Sequence, residues 1–277
     1  MITGHDYADI VDRALAEDLD EAGDVTSQSV ISPESRSRGH FVAREAGVIA
    51  GLPVAGYVFA RFDDGVEFSS VDEGAQLEAG ATIATVSGSS RSILTAERTA
   101  LNLLARMSGV ATATARFVAA VEGTGARITD TRKTLPGLRV LDKYAVTVGG
   151  GVNHRMGLYD EVMIKDNHIV AAGDLRRAVG RARDQLGPSM RVTVEVESLD
   201  QLADALETTA NRVLLDNMGV ETLKQAVEMV ERRMETEASG GVTLESVRAI
   251  AETGVDFISV GAITHSTPQL DIALDFV

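Results

Sequence analysis

From about residue 126 onward, short apolar segments alternate with amphipathic ones, and this alternation constrains the fold more than any other feature of the sequence. The segments between the apolar stretches carry apolar residues at helical spacing, as in Leu175–Leu186 after a predicted N-cap at Asp174. Ser198 and Gln201 form a predicted capping box for the next helix. Strands that alternate with helices predict a parallel sheet, closed as a barrel or doubly wound. The six predicted strands are residues 126–129, 161–164, 192–196, 213–215, 234–238 and 257–260.

The first 90 residues follow a mixed pattern that predicts a small α+β domain. A helix is expected at residues 6–19, followed by strands at 39–48, 66–71 and 82–86 with turns between them. A long helix is expected at 95–121, with a buried stripe that includes Leu101 and a break near Gly109.

Composition excludes several classes of partner and site. The formal net charge of −15 repels nucleic acid and anionic membranes, since both are bound through Lys and Arg. There is no cysteine, so disulfides and thiolate metal sites are excluded. No apolar run is long enough to span a bilayer and no leader pattern is present, so a cytoplasmic location is expected. An anionic substrate would need a local cationic pocket.

Polar residues follow the predicted strands in an ordered way. Arg132, Lys133 and Lys165 follow the first two strands, Glu195 and Asp216 end the next two, and glycine-containing loops at 239–241 and 260–262 follow the last two. In a parallel barrel these strand ends converge on one rim, where the active sites of such barrels lie. Bare backbone N–H groups in glycine loops suit a phosphate. The pattern predicts a site for a phosphorylated ligand without naming the reaction.

Each piece of this pattern also has an ordinary explanation. An Asp-Asn pair after a strand is more often a turn, and Arg132 with Lys133 could be a solvated pair. Random polar strand ends would not, however, sort into cations, carboxylates and glycines in that order. Other signatures are weak or missing: residues 149–151 lack the spacing of a dinucleotide fingerprint, and there is no P-loop, zinc-spaced His pair or nucleophile elbow.

Several motifs, in order along the chain, resemble the quinolinate phosphoribosyltransferase family. They are EDLDEAGDVTS (17–27), ERTALNLLARMSGVAT (97–112), ITDTRKTLPGLR (128–139), GGGVNHRMGL (149–158), MIKDNHI (163–169), VEVESL (194–199), LLDNM (214–218), ASGGV (238–242) and ISVGAITHS (258–266). The resemblance implies an α/β fold: an incomplete parallel βα barrel with a smaller N-terminal α/β sandwich domain. It places residues 1–105 and 268–277 in the sandwich domain and 106–267 in the barrel.

The resemblance also implies a reaction and its residues. Quinolinate and phosphoribosyl pyrophosphate would give nicotinate mononucleotide, pyrophosphate and carbon dioxide, with Mg²⁺, in a homodimer or dimer-based oligomer with shared active sites. Lys133, Lys165, Glu195 and Asp216 are the expected catalytic residues, and Glu195 and Asp216 are expected to hold the metal, directly or through water. The expected substrate-binding residues are these four together with Arg98 of the neighbouring subunit, Thr131, Arg132, His154, Arg155, Ser239, Gly240, Gly241, Val260, Gly261 and Ala262.

Three other functions are compatible with parts of the pattern. A related phosphoribosyltransferase would act on nicotinate or another pyridine carboxylic acid. A barrel aldolase would form a Schiff base through Lys165. A binding protein without activity could keep the fold, but it would have no reason to keep Glu195 and Asp216.

Overall fold

The computed structural model describes residues 2–277, which form two compact units. Unit 1 contains the residues up to Ala115, together with Thr134–Gly150 and Thr264–Val277. Unit 2 contains Arg116–Lys133 and Gly151–Ile263. The chain therefore enters each unit more than once.

Helices and strands occupy most of the chain. The helices are α1 (Gly4–Leu19), α2 (Val25–Val30), α3 (Leu52–Phe62), α4 (Ser90–Ala120), α5 (Arg139–Val148), α6 (Asp166–Ala172), α7 (Leu175–Leu186), α8 (Leu199–Leu206), α9 (Val220–Val230), α10 (Leu244–Ala251) and α11 (Ala262–His265). The strands are β1 (Arg36–Ala43), β2 (Gly47–Val48), β3 (Glu67–Ser70), β4 (Gln76–Leu77), β5 (Thr82–Ser89), β6 (Arg127–Thr129), β7 (Val162–Ile164), β8 (Val192–Val196), β9 (Arg212–Asp216), β10 (Glu235–Ser239), β11 (Phe257–Ser259) and β12 (Ile272–Phe276).

Unit 1 is built on an antiparallel sheet in the order β12-β1-β5-β3. Phe41 of β1, Phe59 of α3 and Phe68 of β3 meet in edge-on and stacked pairs with ring centroids 5.7–6.0 Å apart. Such pairs add to the stability that burial of the rings already provides. The strand at the chain end, β12, pairs with β1, so the last residues lie in the same sheet as the first strand.

Unit 2 is built on six parallel strands in the order β6-β11-β10-β9-β8-β7. The strands β6 and β7 lie at opposite edges of this sheet. Because Thr131 after β6 and Lys165 after β7 nevertheless line the same pocket, the sheet is curled. Val152 forms a parallel bridge with Thr129 on the outer side of β6. The predicted incomplete barrel with a separate N-terminal α/β domain is confirmed.

The inner face of the barrel stays polar from the pocket toward the amino ends of the strands. Arg212 contacts Glu235 and Glu237, and its guanidinium lies over the ring of Phe257, 3.9 Å from the centroid. Arg191 also pairs with Glu235. Because buried charges are tolerated only when paired, this arrangement places a fixed ionic layer beneath the pocket.

Residues 134–150 lie in unit 1, where α5 is held by a buried ion pair. Arg106 donates from Nε and Nη2 to the two carboxylate oxygens of Asp142, each at 2.9 Å, and also to the carbonyl of Thr264. Asp142 is fully buried and Arg106 nearly so.

Local features of the helices agree with the sequence only in part. Asp174 caps α7 by accepting from the backbone N–H of Arg177 at 2.8 Å. Ser198 caps α8 by accepting from the backbone N–H of Gln201, but the predicted capping box is incomplete, because the Gln201 side chain accepts from the backbone N–H of Glu197 instead of Ser198. The predicted break near Gly109 is wrong, since α4 is continuous. The glycine instead admits the backbone at Pro268, with which a Cβ would collide.

Candidate active site

A pocket of about 250 Å³ lies at the carboxyl ends of the barrel strands, lined entirely by residues of unit 2. This is the rim where the active sites of βα barrels lie. Nine of the residues predicted from the sequence line it: Thr131, Arg132, Lys133, His154, Arg155, Lys165, Glu195, Asp216 and Ser239. Residues separated by more than a hundred positions in the chain are thus brought together.

Four cationic side chains line the pocket: Arg132, Lys133, Arg155 and Lys165. Burial and the neighbouring charge of Arg132 lower the pKa of Arg155. Like charges held this close favour an anion between them. Two of the four lysines in the chain are in this pocket, although the chain has a formal net charge of −15. The arrangement suits a multiply charged anionic substrate.

Strand register places the carboxylates of the pocket on the inner face. Glu195 lies opposite Leu214, and Asp216 follows two residues later on the same face. Glu195 pairs with Nζ of Lys165. Asp216 accepts from the side-chain amide of Asn217 at 2.9 Å. Both carboxylates are half-buried, so they border the pocket while keeping a fixed position.

The segment at His154 is fixed by hydrogen bonds along its backbone. Residue 152 donates to the carbonyl of Ile128 at 2.9 Å, so the segment runs beside β6. The backbone N–H of His154 donates to Oδ1 of Asp130 at 2.9 Å, and the Asp130 carboxylate is fully buried. Arg155 donates from Nη1 to the carbonyl of Glu161 at 3.1 Å. His154 and Arg155 of the NHR motif therefore reach the pocket from a backbone that hydrogen bonds hold in place.

Glycine at the end of β10 is required by the backbone. Gly240 and Gly241 have φ of 102° and 56°, and a Cβ on Gly240 would collide with Asn217. The two loops follow strands whose last residues, Ser239 and Ser259, line the pocket. The loop residues themselves do not line it: Gly240, Gly241, Val260, Gly261 and Ala262. Arg98 belongs to unit 1, is exposed, and is likewise not a lining residue.

Four lining residues were missed by sequence reasoning: Met163, Leu214, Glu237 and Ser259. A signal for them was present in each case, since each lies two residues before a predicted site residue and so points to the same side of its strand. Met163 precedes Lys165, Leu214 precedes Asp216, Glu237 precedes Ser239 and Ser259 precedes Gly261. Met163 and Leu214 supply the apolar part of the wall.

The pocket presents carboxylates of the kind that bind a metal ion together with a phosphate. Among residues 2–277 no cluster of three or more His, Asp or Glu side chains could hold a metal. Mg²⁺ is usually bound through one or two carboxylates together with substrate phosphates, and the pocket offers Asp216 and Glu195 for that purpose.

No helix in the described part of the chain is long and apolar enough to cross a membrane.

Comparisons with known proteins agree with this geometry. The family models for the N-terminal and C-terminal domains of quinolinate phosphoribosyl transferase match residues 24–108 and 110–275. A carboxylating nicotinate-nucleotide pyrophosphorylase of Mycobacterium leprae is 48% identical over 96% of both chains. A decarboxylating quinolinate phosphoribosyltransferase of Nicotiana tabacum is 42% identical over 98% of this chain and 82% of its own. The crystal structure of NadC from Streptococcus pyogenes matches with a TM-score of 0.95 at 37% identity, covering 100% of this chain and 99% of that one.

Proposed function

Because this chain belongs to the quinolinate phosphoribosyltransferase family, we propose that its barrel pocket is the site where phosphoribosyl pyrophosphate and quinolinate react. The reaction is that of a carboxylating nicotinate-nucleotide pyrophosphorylase, a step of de novo NAD biosynthesis. Its products are nicotinate mononucleotide, pyrophosphate and carbon dioxide. The observation that carries the assignment to this pocket is the meeting of four cations and two strand-end acids at one barrel rim.

Binding of quinolinate requires cations that neutralise the negative charges of its two carboxylates. Arg132 and Arg155 are suited to this because a guanidinium meets a carboxylate with two parallel hydrogen bonds, whereas Lys133 acts as a movable point charge. A pair of unit charges about 4 Å apart contributes about 4 kcal/mol at an effective dielectric constant near 20, before desolvation. Several such pairs are needed to overcome the negative field of the whole chain.

Transfer begins when the ring nitrogen of quinolinate bonds to the anomeric carbon and the bond from that carbon to pyrophosphate breaks. Positive charge builds up on the ribose as pyrophosphate leaves. Glu195 and Asp216 bind the ribose hydroxyls and stabilise this charge. Lys165 holds Glu195 in place until the substrate arrives. These assignments use electrostatic stabilisation and positioning alone, and they require no covalent bond to the protein.

Decarboxylation follows from the charge on the new pyridinium. The carbon next to the ring nitrogen loses its carboxylate as carbon dioxide, and the electron pair of the broken bond stays on that carbon, where the positive nitrogen stabilises it. A proton from solvent then completes the C–H bond. The protein's part is to hold the ring while the second carboxylate stays bound to the cations.

Asp216, with Glu195, would hold Mg²⁺ brought in with the pyrophosphate. The ion would neutralise charge on the leaving group. The loops at residues 239–241 and 260–262 bind the 5′-phosphate, with Ser239 contributing its hydroxyl and the glycines exposing backbone N–H groups.

The function is tested by offering the purified chain phosphoribosyl pyrophosphate with either quinolinate or nicotinate. We expect nicotinate mononucleotide and one equivalent of carbon dioxide from quinolinate, no turnover of nicotinate, and loss of activity when Mg²⁺ is chelated. Turnover of nicotinate without carbon dioxide would instead assign the related phosphoribosyltransferase activity. No turnover of either acid under folded conditions would refute both.

We also propose that the active unit is a dimer in which Arg98 completes the partner's pocket. Arg98 is exposed and lies in unit 1, whereas the residues that line the pocket belong to unit 2. The family resemblance assigns it to quinolinate. A fifth cation would balance the second carboxylate of the substrate and the pyrophosphate.

Hybrid dimers are expected to recover activity when Arg98→Ala is mixed with Lys133→Ala. In random mixing half of the dimers carry one subunit of each kind, and one of their two sites is intact, so about a quarter of wild-type activity should return. Mixing Lys133→Ala with Lys165→Ala is the control, since both changes affect residues supplied by one subunit and no site is repaired. Hybrids that form but remain as inactive as the control would contradict a shared site.

A cytoplasmic location is proposed as well, because the phosphorylated substrate is too highly charged to cross a bilayer unaided.

A further inference from the structure

Glu237 is a fully buried carboxylate in the wall of the pocket that has no part in the mechanism above. Its Oε2 lies 2.8 Å from Nη1 of Arg212 and 3.3 Å from Nε2 of His154, and its Oε1 accepts from the hydroxyl of Ser259. Burial alone would raise the pKa of Glu237. The nearby His154 ring, the hydrogen bond from Ser259 and the charge of Arg212 outweigh burial and hold the pKa of Glu237 below its ordinary value. Glu237 is therefore an anion that three polar groups face.

The ring of His154 connects Glu237 to the substrate-binding arginine. Nδ1 accepts from the backbone N–H of Arg155 at 2.7 Å, so this nitrogen carries a lone pair. The ring proton is then assigned to Nε2, which faces Glu237. The ring thus spans the gap between a fixed carboxylate and the backbone of Arg155.

We propose that Glu237 is a positioning residue of the quinolinate site, acting through the His154 ring to fix the backbone of Arg155. The inference rests on the proposed function and deepens it. His154 then acts by fixing the position of the Arg155 backbone. The specificity of the site for a dicarboxylate depends on this support, because a guanidinium forms two parallel hydrogen bonds only when its direction is fixed.

Pairing with Arg212 alone does not account for this arrangement, because the Glu237 carboxylate also faces the His154 ring and accepts from Ser259. Arg212 has a second carboxylate in Glu235, whose Oε2 lies 3.0 Å from Nη2 and which it shares with Arg191. The other charged groups that face the His154 segment are also engaged. Asp130 accepts its backbone N–H, and the buried side chain of Glu161 accepts from Thr193. Glu237 is the carboxylate that reaches the ring.

The Glu237→Gln variant tests the proposal. Glutamine keeps the shape but is neutral. Ser259 can turn its hydroxyl to accept from the new NH₂ group, so Arg212 and His154 are left to share one uncharged oxygen. We expect the KM for quinolinate to rise about tenfold, the size of one lost buried hydrogen bond. The KM for phosphoribosyl pyrophosphate should change little, because Glu195 and Asp216 are untouched.

Thr236→Val is the matched control. Thr236 is the preceding residue on β10 and is equally buried, but its hydroxyl contacts Asp256 on the opposite face of the strand. The control should lose stability without a change in either KM. Unchanged or equally raised KM values in Glu237→Gln would overturn the proposal. Absence of turnover in the wild-type chain would instead refute the proposed function, so the two failures are distinct.

A second measurement does not depend on the folding of Glu237→Gln. In wild-type protein with ¹⁵N-labelled histidine, the His154 signals, identified by their loss in His154→Asn, should show an unprotonated Nδ1 and a protonated Nε2 at the assay pH. A protonated Nδ1 would overturn the proposal. In the double variant, Glu237→Gln should add nothing to the quinolinate KM of His154→Asn, since both act through the same ring. Additive effects would show that Glu237 acts by another route.

Discussion

Replacement of Lys133 by alanine is expected to lower kcat/KM for quinolinate by about 10²-fold or more, the loss typical of one preorganised charge contact at a site where charge develops. Lys133 lines the pocket beside Thr131, whose hydroxyl accepts its backbone N–H at 3.0 Å. This hydrogen bond fixes the backbone that carries the lysine at the rim of the pocket. Steady-state kinetics with each substrate in turn measure the effect.

Lys224→Ala provides the control for this variant. Lys224 is another of the four lysines, lies on α9, and pairs with Glu221 at 2.9 Å with its side chain about half exposed. Its loss removes the same charge from the chain without affecting the pocket. Near-wild-type turnover of Lys133→Ala would show that the lysine is not part of the quinolinate site. An equal decrease in Lys224→Ala would show that overall charge is responsible.

Replacement of Asp142 by alanine is expected to lower the free energy of unfolding by about 3–5 kcal/mol, because it leaves Arg106 buried without its carboxylate. Arg106 makes two hydrogen bonds to Asp142, and its side chain is only 9% exposed. The carboxylate also accepts from the backbone N–H of Leu135 at 3.3 Å, so the segment that precedes α5 loses a contact too. Urea unfolding followed by circular dichroism measures the change.

The exposed pair of Arg44 and Asp275 gives the comparison. Nη2 of Arg44 reaches both oxygens of Asp275 at 2.7 and 2.8 Å, but the side chains are 43% and 48% exposed. Asp275→Ala should therefore cost under about 1 kcal/mol. Replacing Arg106 and Asp142 together by leucine should recover part of the loss, since no buried charge is then left unpaired. Equal stability of the Asp142 and Asp275 variants would contradict the argument.

The barrel could be predicted from the sequence because its signals are local. The strand at residues 192–196 and the helix at 175–186 occur where the apolar period predicts them, and the cap at Asp174 confirms the start of that helix. Each amphipathic helix buries one face against the sheet, so its period can be read without knowledge of its partner.

The helices α3 and α5, which do not pack one amphipathic face against the barrel sheet, were not predicted from the sequence. The α3 helix is buried on most sides, at Leu52, Val54, Ala55, Val58 and Phe59, so it has no polar face to set a period. Its proline and internal glycine also resemble a loop. The α5 helix lies in the loop after a predicted strand, and its burial depends on Arg106, 36 residues from Asp142 in the chain. Such distant pairing leaves no local signal.

Site residues that follow the end of a strand could be predicted from the sequence, whereas site residues inside a strand could not. Lys165 and Asp216 were found because polar residues at strand ends stand out. Glu237 lies inside a short strand whose Glu, Thr and Ser residues resemble an exposed edge. Its burial becomes evident only when Arg212 and His154 are known to face it.

The three-part composition of unit 1 has a consequence for how the chain is made. Domains generally fold as units in the order in which they leave the ribosome. Here β12, an edge strand of the first sheet, is synthesised after all six strands of the barrel. Until it emerges, one side of β1 has unpaired backbone groups, a surface prone to wrong pairing. Unit 1 is thus completed only after the barrel strands have been translated.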